Sequence, residues 1–309
     1  DGKLSGQSLC DLCAGARIDV NDRKRNPYDF VPRKSAKPGE ISWDSPWGKG
    51  RPGWHIECSA MSMKYLGETI DIHCGGQDLI FPHHENEIAQ SEAATGKPFS
   101  RYWMHNGFIN IGDEKMSKSK GNFFTVRDIS RKYDLSVVRL FMLSAHYRNP
   151  INFSEELIAQ AASAAERIRN CRENLKFIAQ RGSESMTDVS RDVCELEKRF
   201  CESMDDDLNT AGALGVIFEY IKDINLKFEG AGSKAGAREA LGALDRVLGV
   251  LGLAPRDEEI PDAIKALAER RNAARAKKDF AAADKLREEI LSLGYELKDT
   301  PEGVKITRK

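Results

Sequence analysis

Three clusters of residues in this sequence have the types and spacing that chemistry needs. The first is Lys115-Met116-Ser117-Lys118-Ser119, continued by Lys120-Gly121-Asn122, which puts three lysines and two serines within six residues ahead of a helix start at Thr125-Val126-Arg127-Asp128. Ammonium groups on a loop that can close offset the charge developing on a leaving pyrophosphate. A solvated basic loop has the same composition. The second cluster combines Cys58 with His83 and Glu87 of Pro82-His83-His84-Glu85-Asn86-Glu87. On a helix, residues four apart lie on one side about a turn from each other, so the imidazole and the carboxylate can converge. Thiolate, imidazole and carboxylate together make a zinc set; singly they read as a small buried residue, a helix-terminal residue and a surface charge. The third cluster is His73-Cys74-Gly75-Gly76-Gln77-Asp78, where two glycines after a strand let backbone approach a nucleotide and the acid can accept from ribose hydroxyls or an ammonium group. Cys10 and Cys13 have the spacing of half a zinc knuckle but no second pair nearby, and we read them as incidental.

The elements that must position these residues fall into successive textures. Residues 1–53 are polar and broken by Pro27, Pro32, Pro38, Pro46 and Pro52, which predicts loop and short strand, the end of an insertion. Residues 54–150 alternate. A helix through Met61 and Leu66 stops at Gly67, a strand runs from Thr69 to His73, a second helix follows Pro82, and another strand runs from Trp103 to Ile109. Such alternation predicts a parallel α/β sheet. Residues 151–253 read as an α-helical bundle, starting from a cap at Ser154-Glu155-Glu156 with apolar residues spaced by threes, fours and sevens. A charged, proline-bounded linker spans 254–261, and 262–309 form a small C-terminal module of two helices and a strand-like tail.

Composition narrows the function classes. The 309 residues carry a formal charge of −1 with 31% charged and 40% hydrophobic residues, a profile of globular domains and not of disorder. The sequence lacks both an apolar run of the roughly 18–20 residues a membrane span needs and a signal-peptide pattern at Asp1-Gly2-Lys3-Leu4. Seven cysteines, an odd and sparse set, favour reduced thiols in a cytoplasm. From residue 263 onward 12 Lys and Arg face 8 Asp and Glu, a surplus that suits an anionic partner and equally a solvated helix face.

Together these residues carry a resemblance. KMSKS is a signature of class I aminoacyl-tRNA synthetases. With GWHIECSAM at 53–61, HCGGQDLIFPHHENEIAQS at 73–91, YWMHNGF at 102–108, MDDDLNT at 204–210 and the closing KDFAAADKLREEILSLGYELKDTPEGV, the chain resembles bacterial cysteinyl-tRNA synthetases along nearly its whole length. The resemblance implies the second half of a Rossmann-like catalytic domain, a DALR-type tRNA-binding bundle and an anticodon-binding module. It implies one zinc per subunit on Cys58, His83 and Glu87 plus a cysteine near the protein's N-terminus, with the substrate thiolate on that zinc. It also implies an amino-acid pocket lined by Trp54 and His73, an adenylate bordered by Gly75, Gly76, Asp78, His105 and Gly107, and Lys115 and Lys118 acting on ATP, used with magnesium. The cations Arg270, Arg271, Arg275, Lys277 and Lys278 beside Phe280 are then expected on tRNA, with L-cysteine and ATP as the other partners, in a cytoplasmic monomer. No HIGH-type tetrapeptide occurs, and on this likeness the HIGH motif and the remaining zinc cysteine belong upstream of Asp1, so the chain alone is expected to be inactive. Two other readings stand beside this one: an ATP-dependent cysteine ligase acting on an amino sugar in the mycothiol pathway, and a non-catalytic RNA-binding remnant. A basic C-terminus and MDDDLNT favour the synthetase.

Overall fold

The structure, a computed structural model, describes residues 2–7, 24–26, 29–112, 114–115, 125–229, 232–254, 261–300 and 303–308. Cys10, Cys13 and Lys118 therefore lie outside the described residues. The chain forms two compact units, residues 1–123 with 147–152, and residues 124–146 with 153–309.

In the first unit, Arg33–Ser35 (β1) and Gly50–Pro52 (β2) pair antiparallel within the proline-rich stretch. The helix Trp54–Leu66 (α1) follows at once, and its Ser59 is buried and donates to Gln90 Oε1 of the second helix at 3.3 Å. Ile70–Gly76 (β3) pairs in parallel with Ser100–Asn106 (β4), the crossover between them being a turn at Ile80–His84 and the helix Glu85–Thr95 (α2). That is the strand, helix, strand alternation of a parallel unit, with β3 running three residues beyond His73. The register sets His73 beside Trp103 and Gly75 beside His105. Ile70, Ile88 and Phe99 form a small apolar core beneath this sheet, with Leu4 and Trp103 packed against it. Further on, Ile109–Ile111 (β5) pairs antiparallel with Glu114–Lys115 (β6) and parallel with Ile151–Asn152 (β7).

Among the described residues the second unit is helical apart from one hairpin. Val126–Ile129 (α3) begins in a capping box in which Thr125 and Asp128 satisfy each other's backbone N–H groups. Leu135–Leu143 (α4) and the long Glu155–Arg181 (α5) follow, then Ser190–Asp205 (α6), Thr210–Lys227 (α7) and Lys234–Val250 (α8). Side-chain caps start several of them: Ser154 accepts from Leu157 N at 3.2 Å, Asn209 from Gly212 N at 2.9 Å and Ser233 from Gly236 N at 3.0 Å. Their apolar faces meet in one core that includes Leu175, Leu196, Ile217, Ile224, Leu244 and Leu248. Truncating any one of these buried side chains to alanine costs about 2–5 kcal/mol. Asp262–Ala276 (α9) and Phe280–Ser292 (α10) pack with the hairpin Tyr295–Thr300 (β8) and Gly303–Arg308 (β9) around Ile264, Leu267, Ile290 and Leu297, a separate small core. Among the described residues no helix is long and apolar enough to cross a membrane.

Candidate metal centre

The site is built where α1, β3 and the turn into α2 meet. Helix α1 carries Cys58, and the turn before α2 carries His83, so the spacing of four to Glu87 crosses the junction of turn and helix. Ligand atoms of Cys58, His83 and Glu87 all lie within 4.8 Å of one another, and His73, His84 and Glu87 form a second group within the same limit. Glu87 belongs to both. Its Oε1 lies 2.6 Å from His83 Nε2 and its Oε2 2.7 Å from His73 Nε2, and the residue is fully buried. Neither oxygen has a donor aligned on it as a hydrogen bond requires.

Around these ligands stands a shell of rings. His83 Nδ1 meets His55 Nδ1 at 2.7 Å, and His84 Nδ1 meets His105 Nε2 at 2.8 Å. If His83 gives its Nδ1 proton to His55, its Nε2 turns a lone pair toward the Glu87 carboxylate, an arrangement stabilised by a cation between them. Trp54 lies 4.3 Å from His83, centroid to centroid, with its own ring largely open to solvent. Trp103 packs edge-on to His73 at 4.8 Å and against His84 at 5.2 Å.

The electrostatics follow from this burial. Desolvation, with the Glu87 carboxylate beside it, pushes the Cys58 thiol up to about 11. Burial pushes His84 down to about 4 and lowers His83, so both stay neutral near pH 7. Glu87 is raised by burial, but His73 above all, then His83 and His84, hold it net below the ordinary carboxylate value. A neutral imidazole, an ionised carboxylate and a thiol that a metal can deprotonate suit zinc in type and number, with room in a tetrahedral shell for one further ligand. The buried carboxylate oxygens without aligned donors are the observation that fits such an ion.

The other residues singled out by the sequence are distributed unevenly. Trp54 and His73 stand at the centre, His73 against Glu87 and Trp54 over His83. Gly75 and His105 also belong here, but Gly75 has a packing reason of its own: a Cβ would lie 2.6 Å from His84 Cε1. At Gly107 a Cβ would sit 2.4 Å from the backbone of Asn149. Close approach of protein to protein therefore accounts for both glycines. Asp78 is exposed in the turn after β3, and Lys115 ends β6. In the C-terminal module Arg270, Arg275, Lys277 and Lys278 are exposed, and Phe280 is 60% exposed. Arg271 departs from the expectation. Its side chain is buried, with Nη1 and Nη2 donating to the two Asp299 oxygens at 2.8 and 3.0 Å, and Arg275 shares the same carboxylate. That fork holds α9 to the hairpin and leaves Arg271 unable to face a phosphate. Sequence reasoning missed His55, His84 and Glu85, although a signal was present: five of the six histidines fall between residues 55 and 105.

Comparison with known proteins bears on the whole chain. Residues 1–163 match the model of the class I (C) tRNA synthetase catalytic domain, residues 199–254 the DALR domain, and residues 257–305 the cysteinyl-tRNA ligase anticodon binding domain. The cysteine–tRNA ligase of Clostridioides difficile is 54% identical over 99% of this chain and 68% of its own length. That of Caldicellulosiruptor saccharolyticus is also 54% identical, over 99% of this chain and 67% of its own. Among solved structures, a ternary complex of the Agrobacterium radiobacter K84 agnB2 LeuRS with tRNA and LeuAMS superposes with a TM-score of 0.54 at 14% identity, covering 70% of this chain and 34% of that one. At that identity the likeness is one of fold.

Proposed function

The chain belongs to the cysteinyl-tRNA ligase family of class I aminoacyl-tRNA synthetases, and we propose that its thiol, imidazole and carboxylate select cysteine through a zinc ion, while the lysine loop serves ATP and the C-terminal module serves tRNA. Ligases of this family use ATP with magnesium. The observation that carries the reading is the convergence of Cys58, His83 and Glu87 within 4.8 Å around a buried carboxylate lacking aligned donors.

Selectivity by a metal has a physical basis. Cysteine and serine differ by sulfur for oxygen, and packing alone discriminates poorly between side chains that differ so little. When bound to Cys58, His83 and Glu87, zinc supplies a soft Lewis acid that favours thiolate and lowers a thiol's pKa. Glu87 contributes the negative charge, His55 orients the His83 ring through Nδ1, and His73 Nε2 stands 2.7 Å from the Oε2 of Glu87. Trp54, open on one side, forms an apolar wall for the amino acid. The cysteine carboxylate then attacks the ATP α-phosphate, expelling pyrophosphate and forming cysteinyl-adenylate, with Lys118 and Lys115 offsetting the charge on the leaving group. A terminal ribose hydroxyl of tRNA takes the acyl group and releases AMP.

Matches to the DALR and anticodon-binding models support tRNA over an amino sugar as acceptor. Arg270, Lys277 and Lys278 beside exposed Phe280 offer cations for phosphates and a face for an unpaired base. Sparse cysteines support a reducing cytoplasm, and we take the protein to act as a monomer. The test is Cys58→Ser in the protein as the cell makes it. Cysteine affinity should fall and ATP affinity hold; an unchanged cysteine affinity would overturn metal-based selection.

A further inference from the structure

The first turn of α2 is tied to a segment more than 80 positions away. Glu85 is 4% exposed, and its carboxylate accepts three backbone N–H bonds: Gly2 N to Oε2 at 3.0 Å, Leu4 N to Oε1 at 2.8 Å and Ser5 N to Oε1 at 2.6 Å. Residues 2–6 are shaped for this. Gly2 and Gly6 have φ of +82° and +68°, and Gly6 N closes the turn on Gly2 O at 3.0 Å, so the amides of the turn point inward at the acid. Leu4 packs with Ile70, Ile88 and Phe99, and Lys3 pairs with Glu92 farther along α2. Glu85 lies between His83 and Glu87 in the chain, so whatever holds Glu85 also sets where the backbone presents both ligands.

We propose that Glu85 is a positioning residue of the metal centre, its carboxylate docking the turn at residues 2–6 onto α2 and so holding the His83 and Glu87 backbone in the arrangement that binds the ion. This rests on the metal reading above. A structural cap needs one acceptor. Here both oxygens are used, so Gln at this site must turn its NH2 toward an N–H donor in either orientation. The isosteric change therefore breaks one side of the dock without opening a cavity.

Two readouts on the protein as the cell makes it test it: amide hydrogen exchange at Gly2, Leu4 and Ser5, and cobalt(II) affinity measured from the thiolate-to-metal absorption band. In the wild-type protein the three amides should exchange slowly. Glu85→Gln should release the amides that its NH2 faces, Gly2 in one orientation or Leu4 and Ser5 in the other, and weaken cobalt by about 10- to 100-fold, the scale for losing support behind metal ligands, with the melting midpoint of the bundle unmoved. Leu4→Ala, which loosens the same dock from its apolar side, should weaken cobalt less. Lys3→Ala removes only an exposed ion pair and should leave cobalt affinity as it was. Released amides with cobalt affinity within twofold of wild type would overturn the proposal, since the dock would then be local only. Should Glu85→Gln fail to fold, Leu4→Ala decides: free amides with unchanged cobalt affinity refute the role. A wild-type protein, as the cell makes it, that binds no cobalt overturns the metal centre and the positioning role with it, whereas failure of Glu85 alone leaves wild-type binding intact.

Discussion

Metal binding should release a proton from Cys58, and the pH dependence follows from the environment of that thiol. Burial and the Glu87 carboxylate push it up to about 11, so near pH 7 only about one site in 10,000 holds a thiolate ready for the ion. The sign is fixed by which form binds: the thiolate is the ligand, the proton competes with the metal, and affinity rises with pH. His83 is held below its ordinary value and is already neutral above about pH 6.5, so it adds no second proton in the working range. Apparent zinc affinity should therefore climb about tenfold per unit between pH 7 and pH 9, with one proton released per ion. Competition with a chelating dye gives the affinity, and calorimetry in buffers of different ionisation enthalpy counts the proton. In Cys58→Ser the slope should flatten and the proton disappear. A pH-independent affinity, or the same slope in Cys58→Ser, would refute the placement of Cys58 at the metal.

Other consequences can be checked separately. Lys118→Ala should slow adenylate formation about 100- to 1,000-fold, as for loss of one preorganised electrostatic contact, with cysteine affinity nearly unchanged; pre-steady-state kinetics reads both. Asp299→Asn strips the buried Arg271 of its charged partner and should destabilise the C-terminal module by about 1–3 kcal/mol in urea unfolding. Arg271 and Arg275 hold Asp299 well below the usual carboxylate range, so this contribution is complete above about pH 4 and fades as pH falls below it; an acid titration of the module should show loss in that direction and none between pH 5 and 8. Deleting residues from 262 onward should weaken binding of tRNA for cysteine and flatten its salt dependence, and equal slopes with and without the module would show that its cations are merely solvated.

Local rules made the scaffold legible. Apolar spacing marked α5 to α8, and Ser154 caps α5 as its type and position suggested. The His83 and Glu87 spacing likewise pointed to one side of a helix, although His83 sits in the turn before α2. Pairings set by tertiary contact were illegible. Nothing local indicates that His84 meets His105, that His55 backs His83, or that Glu85 gathers the amides of Gly2, Leu4 and Ser5. Arg271 shows the converse failure. Five cations crowding one turn suggested phosphate contacts, but α9 turns one of them inward to a carboxylate 28 positions away. Composition records how many charges a segment holds and leaves open which face of the helix will be buried.

Whether Cys58, His83 and Glu87 hold an ion that recognises the substrate's sulfur can be read by zinc-edge X-ray absorption on the metal-loaded chain. A sulfur is expected at about 2.3 Å with lighter atoms at about 2.0–2.2 Å, and one further sulfur per zinc when L-cysteine is added but none with L-serine. A zinc shell without sulfur, or a sulfur count that L-cysteine leaves unchanged, would show that the ion does not recognise the substrate through these residues.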